Sequence, residues 1–199
     1  LQYYRQLYSS PCLVPARHYD DYLDRLNLPQ IDRGDEETLG GPITLVEIQG
    51  VIADLANGKT PGGDGLPAEF FYQYRDLIAP RLLKVYQEAW EKGILLNTIR
   101  EAIVIPRPKK GQEENTVRAY RPLCMLTMDF KILSKILANR LGPKMETLVH
   151  TDQNGFIPCR NTSLNILRLY SIMDGATDRW PRAFFLALDL EQAFDSVRW

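Results

Sequence analysis

The residues of this chain best suited to chemistry are one carboxylate, Asp189, and a block of arginines and lysines upstream of it. Asp189 closes the unbroken apolar run of residues 183–188, Ala-Phe-Phe-Leu-Ala-Leu. Such a run, with its aromatics, reads as a strand covered on both faces. An ionised Asp at the tip of a buried strand is costly unless it is paired or holds a metal. The bland alternative is a carboxylate that caps a turn or the next helix. Five positions further on stands an aromatic, Phe194, followed by a second carboxylate, Asp195. The cations lie in residues 100–144, where ten basic residues face four acidic ones, a net of +6. Residues 1–50 carry four basic against eight acidic residues, a net of −4, so the overall charge of −1 conceals a segregation. A local basic block is the electrostatic footprint of a nucleic-acid surface; a solvated helix face plus loop is the plainer reading.

Several elements must position these groups. Residues 1–41 read as a weakly folded approach, with Pro11, Pro15 and Pro29 and then an acidic stretch. Thr44-Leu-Val-Glu47 is a capping-box pattern that starts a helix ending before Gly58, with Ile48, Ile52 and Leu55 on its apolar face. Pro67 suits the first turn of a second helix running to Lys92, with Gly93 as its C-cap. Residues 102–105 predict a strand stopped by Pro106 and Pro108. Residues 109–118 form a polar hairpin tip, and the chain returns at Tyr120-Arg-Pro. From Asp129 a long amphipathic helix sets Ile132, Leu133, Ile136, Leu137 and Leu141 on one face and Lys131 with Lys135 on the other. Arg140 points into the apolar stripe, either as a snorkelling or ion-paired core arginine or as a nucleic-acid contact. A further helix spans residues 163–176, with Leu164, Leu167, Ile172 and Met173 apolar.

Composition bounds the class. With 199 residues and 45% apolar content, the chain can bury a core as one large or two small domains. No run is long enough to span a bilayer, and no signal segment is present, so no membrane role is expected. Cys12, Cys124 and Cys159 are widely spaced and form no Cys-x-x-Cys pair, which fits a reducing compartment. His18 and His150 are isolated and read as surface or capping residues.

The string Leu188-Asp-Leu-Glu-Gln-Ala-Phe194-Asp-Ser-Val-Arg-Trp199 resembles the first catalytic motif of reverse transcriptases of the non-LTR (LINE-like) retrotransposon class, although Gln192 stands where relatives commonly carry Lys. Four more blocks occur in the family's order. Thr60-Pro-Gly-Gly-Asp64-Gly65 is similar to the motif preceding the fingers. Ile103-Val-Ile-Pro-Arg107-Pro-Lys109-Lys110-Gly111 with Tyr120-Arg121-Pro-Leu is similar to the first two fingers motifs. Asp129-Phe-Lys-Ile-Leu-Ser-Lys-Ile-Leu-Ala-Asn-Arg140-Leu follows. Asp152-Gln-Asn-Gly-Phe156-Ile-Pro-Cys159-Arg160 completes the set, with Cys159 in place of the usual Gly. If that Gly serves a positive φ, a Cβ there costs about 1–2 kcal/mol.

The resemblance implies an α+β chain forming the fingers and the beginning of the palm of a right-hand polymerase, with a helix-rich N-terminal part. It divides the chain into an N-terminal helical extension (1–59), a fingers region (60–182) and a first palm strand with the catalytic motif (183–199). Asp189 would be catalytic and, with the backbone carbonyl of Leu190, would hold Mg²⁺ in a complete enzyme. Arg121, assisted by Lys109 or Lys110, would bind the incoming triphosphate, since Arg offers a planar fork to phosphate oxygens and Lys a mobile point charge. Phe194 would be the steric gate against a ribose hydroxyl. Lys131, Lys135 and Arg160 would contact nucleic acid, and residues 61–65 would lie at the template edge. The implied partners are an RNA template, a DNA primer and deoxynucleoside triphosphates, in the nucleus or cytoplasm, with no protein partner inferable. No Asp-Asp pair follows residue 189, so the chain alone is expected to be inactive; the alternative is a non-catalytic RNA-binding remnant of a truncated element copy.

Overall fold

The structure, a computed structural model, describes residues 3–5, 16–26, 28–111, 115–179, 184 and 186–189. These are helix-rich, with one small antiparallel sheet. Two compact units are formed, one by Ile31–Lys144 and the other by Leu1–Gln30 with Met145–Trp199.

In the Ile31–Lys144 unit, α2 (Arg33–Gly40) begins at the Asp32 cap, whose side chain accepts from the Asp35 N–H. Asp35 and Glu36 in its first turn suit the positive end of the helix dipole, which explains why the acidic stretch is helical and not an unstructured approach. Thr44 and Glu47 make the expected reciprocal capping box at the start of α3 (Leu45–Ala53). The helix expected from Pro67 to Lys92 is two: α4 (Ala68–Gln73) and α5 (Arg75–Lys92), parted at Tyr74 and closed by Gly93 at φ 65°. A short α6 (Asn97–Arg100) leads into the hairpin, and α7 (Met128–Leu141) follows it.

Helix α3 packs against both α5 and α7. Ile43, Ile48, Val51, Ile52, Phe71, Tyr86, Met128, Ile132 and Ile136 make the core. Each fully buried isoleucine contributes about 1.5–3 kcal/mol of transfer free energy. The Tyr86 hydroxyl donates to the Asp129 backbone carbonyl at 2.6 Å, tying α5 to the start of α7. Burial, with the Asp129 carboxylate nearby, drives the Tyr86 hydroxyl pKa well above its ordinary range.

Strands β1 (Ala102–Pro108) and β2 (Tyr120–Leu126) pair antiparallel, with Val104 opposite Cys124, Pro106 opposite Pro122 and Arg107 opposite Arg121. Pro106 and Pro108 therefore do not stop the strand. They fall at alternate positions whose N–H is not needed by the ladder, and the bond from Lys109 N–H to the Ala119 carbonyl keeps the same phase.

In the other unit, the described residues include the helices α1 (Ala16–Leu23), α8 (Met145–Leu148) and α9 (Ser163–Arg179). Helix α9 starts where expected and runs three residues beyond the expected 176, but Leu164, Leu167, Ile172 and Met173 are exposed. The palm strand expected over residues 183–188 is not seen where the structure describes them. Phe184 and residues 186–189 carry no strand, and Phe184, Leu186 and Leu188 are exposed. A strand exists only through bonds to a neighbour, and among the described residues the one sheet is β1–β2.

Candidate functional site

The hairpin gathers the cations. In an antiparallel ladder, residues directly opposite share a face. One face accordingly carries Ile103 and Met125, then Ile105 and Leu123, then Arg107 and Arg121. The phase fixed by the prolines makes Arg107 and Arg121 a hydrogen-bonded pair, with Cα atoms about 5.5 Å apart. Both side chains are exposed, and neither has an ion pair or side-chain hydrogen bond among the described residues. Two like charges set directly opposite destabilise a hairpin by roughly 0.2–1 kcal/mol. An anion between the two forks would relieve that repulsion. Lys109 and Lys110 continue from the same end, half-buried and exposed respectively, and Gly111 turns the chain at φ 77°.

Arg107 was absent from the sequence-derived site. Its signal was the register: both strands are seven residues long, and counting inward from the turn sets it opposite Arg121.

The hairpin base rests on the loop of residues 60–65. Gly62 lies so close to the Leu126 carbonyl and Thr127 backbone that a Cβ would sit 2.6 Å from them. This explains a glycine there without appeal to φ. Gly65, at φ 71°, closes the turn by donating to the Gly62 carbonyl, and Asp64 accepts from the Leu66 N–H. Glu69 accepts from the Gly58 N–H at 2.6 Å, which holds its carboxyl below the usual range.

Arg140 resolves to the structural alternative. Its guanidinium donates from Nε and Nη2 to the Glu47 carboxylate at 2.6 and 2.9 Å. It also donates to the carbonyls of Leu39, Gly41 and Pro42. The same Glu47 closes the α3 capping box, and Arg140 holds its pKa down at about 2. Lys144 is likewise bonded to Asp35. Neither cation is free for phosphate. On α7, Lys131 is half-buried and Lys135 exposed.

Arg160 and Asp189 belong to the other unit. Arg160 donates from Nη1 to the His150 and Gln153 carbonyls and from Nη2 to those of Glu146 and Val149, at 2.7–2.9 Å. These four bonds from Nη1 and Nη2 close the turn after α8. Within this turn Cys159 has φ 63°, as expected if its position suits glycine, and Phe156 has φ 62° with its ring fully exposed.

Asp189 is exposed and does not terminate a buried strand, so the desolvation argument for a metal does not apply to it. Leu190, Phe194 and Asp195 lie outside the described residues. Among the described residues no three His, Cys, Asp or Glu side chains converge on a metal position.

The hairpin thus sets two arginines opposite each other beside a helical core, and comparison with known proteins gives its class. Residues 107–199 match the family described as reverse transcriptase (RNA-dependent DNA polymerase). The chain is 32% identical over 197 residues to the transposon TX1 uncharacterized 149 kDa protein of Xenopus laevis, covering 98% of this chain and 15% of that protein. It is 27% identical over 157 residues to the RNA-directed DNA polymerase from mobile element jockey of Drosophila melanogaster, covering 78% and 17%. It is 28% identical over 168 residues to the probable RNA-directed DNA polymerase from transposon BS of the same species, again 78% and 17%. Residues 107–199 are thus a reverse transcriptase segment, of the non-LTR, LINE-like retrotransposon kind. The chain spans 15–17% of the length of these relatives.

Proposed function

We propose that this chain supplies the fingers, and the beginning of the palm, of an RNA-directed DNA polymerase. In this reading the hairpin binds the triphosphate of an incoming deoxynucleotide, with Arg107 and Arg121 as a two-forked clamp and Lys109 or Lys110 assisting. Lys131 and Lys135 contribute to the RNA surface. Reverse transcriptases use divalent metal ions, which in the complete polymerase would supply charge neutralisation to the pyrophosphate and Lewis acidity to the attacking hydroxyl. Asp189, the Leu190 carbonyl and Phe194 keep their proposed roles there, as metal ligands and as sugar gate, in concert with the rest of the polymerase.

The observation that carries the reading is the cross-strand pairing of Arg107 with Arg121, whose mild like-charge repulsion an anion would offset. Titration of the chain with a deoxynucleoside triphosphate, followed by amide shifts of β1 and β2, tests it. Arg121→Ala is expected to weaken binding by about 1.5–3 kcal/mol, and Arg121→Lys to recover part of that because the planar fork is lost. Equal affinity in wild type and Arg121→Ala removes the residue from the site.

A further inference from the structure

The chain contains two Asn-Gly pairs, Asn57-Gly58 and Asn154-Gly155, and the structure sets them in opposite surroundings. Asn-Gly is a turn dipeptide, and it is open to an internal reaction, because glycine carries no Cβ to shield its backbone nitrogen from the preceding carboxamide. Asn57 and Gly58 lie exposed in the turn between α3 and α4, with Gly58 at φ 68°. Among the described residues, and apart from its chain neighbours, no atom stands within 4 Å of the point where a Cβ of Gly58 would be. Nothing therefore crowds that side of the pair. Asn154, by contrast, is 4% exposed, and its Nδ2 donates to the Asn165 Oδ1, which ties down the group that the reaction must expel.

One contact opposes the reaction at Asn57. The Gly58 N–H donates to Oε1 of Glu69, in the first turn of α4 and 11 positions away, at 2.6 Å. A nitrogen engaged in that bond keeps its proton and faces the carboxylate. The negative charge beside it also disfavours the amide anion that must attack.

We propose that Asn57 is a site of spontaneous covalent modification, a succinimide-forming pair that Glu69 restrains. In the first step the Gly58 nitrogen bonds to Cγ of Asn57. The Cγ–Nδ2 bond breaks, and Nδ2 leaves as ammonia, its third hydrogen replacing the proton that the Gly58 nitrogen gave up to solvent. In the second step water adds to one imide carbonyl and reopens the ring. Addition at Cγ leaves an ordinary aspartyl residue at position 57. Addition at the main-chain carbonyl leaves an isoaspartyl link, in which the main chain runs through Cβ and Cγ. Water is the only co-reactant. The imide nitrogen bears no hydrogen, so the bond to Glu69 is lost as the ring closes. The isoaspartyl product lengthens the main chain by one methylene and sets a new carboxylate near Glu69, so the bond does not return in its present geometry. The turn leads directly into residues 60–65, on which the hairpin base rests, and ageing of the pair thus loosens that support.

The test incubates the 199-residue chain in heavy-oxygen water at mildly alkaline pH, digests it in acid, and locates the incorporated oxygen by tandem mass spectrometry. Label should appear at Asn57 well before Asn154, and its rate at Asn57 should rise with pH, because the attacking nitrogen is deprotonated. Glu69→Ala should speed labelling at Asn57 about threefold or more, the change expected when one hydrogen bond of modest net strength is removed. Glu69→Gln, which keeps an acceptor oxygen, should fall between that variant and the wild type. Both variants should leave Asn154 at its wild-type rate, which separates a local release from unfolding of the chain. Labelling of Asn154 as fast as Asn57 in the wild type overturns the assignment of the site. A rate at Asn57 that is equal or slower in Glu69→Ala overturns the restraint.

Discussion

Replacing Arg140 with Met should destabilise the Ile31–Lys144 unit by about 2–4 kcal/mol. Arg140 carries five hydrogen bonds, and its side chain is 10% exposed, so the substitution strands three backbone carbonyls and one carboxylate that it now serves. Removing one member of a buried ion pair costs about 3–5 kcal/mol. The Glu47 side chain keeps 29% of its surface, which lets it rehydrate and lowers the expectation. The pH dependence gives a second handle on the same contact. Glu47 has its pKa depressed from 4.5 to about 2, chiefly by the bond from Arg140. A depressed carboxylate contributes stability that is full above its unfolded pKa and is lost as pH falls through the folded one. The window is therefore pH 4.5 down to 2. Linkage sets a ceiling of about 3 kcal/mol, and partial solvation reduces the measurable share to about 1–2 kcal/mol. Urea unfolding followed by far-ultraviolet circular dichroism, at intervals across that range, measures both quantities. The Met variant should be less stable at neutral pH and should show a flatter acid limb, because its Glu47 titrates nearer the ordinary value. A loss under 1 kcal/mol at neutral pH, or an unchanged acid limb, would refute the clamp.

Further outcomes follow from the backbone and the charges. Gly62→Ala should cost about 1–3 kcal/mol through overpacking against the Leu126 and Thr127 backbone, read as a lower urea midpoint; a neutral result would mean that the loop does not press on the β2–α7 junction. Cys159→Gly should stabilise its turn by about 1 kcal/mol by removing a Cβ from a left-handed residue, and an unchanged or lower melting temperature would contradict this. Single-stranded RNA should bind with a log–log salt slope of about −3 to −4, for four to six phosphates, and Lys109, Lys110, Lys131 and Lys135 replaced together by Gln should flatten it. A slope unmoved by the four substitutions would place the RNA elsewhere.

Local signals in the sequence translated well into structure where one chemical rule governs one element. The capping box at Thr44 and Glu47, the left-handed Gly93 after α5, and the Ile132 and Ile136 face of α7 are of this kind. The cost of a Cβ at Cys159 was legible as a condition, and the φ of 63° there meets it. What was not legible depends on partners distant in sequence. Whether Arg140 meets phosphate or Glu47 is decided across ninety-three positions, and the bonds of Arg160 form only once the turn whose carbonyls accept them has folded. Pro106 read as a stop because its tolerance depends on ladder phase, which is set only when β2 pairs with it. The apolar run at 183–188 shows the same limit: its composition favours a strand, but a strand requires a neighbour.

The central claim is that the hairpin face is an anion clamp made by Arg107 and Arg121 together, and a double-mutant cycle tests it most directly. Affinity for a deoxynucleoside triphosphate and urea stability would be measured in parallel for wild type, Arg107→Gln, Arg121→Gln and the double variant. Each single substitution should weaken the ligand, and the two losses should fall short of additivity by about 0.5 kcal/mol or more, as expected of two forks on one anion. Each should also raise the stability of the ligand-free chain by roughly 0.2–1 kcal/mol, because a like-charge pair is relieved. Additive binding losses, or substitutions that destabilise the free chain and leave triphosphate affinity unchanged, would contradict the account.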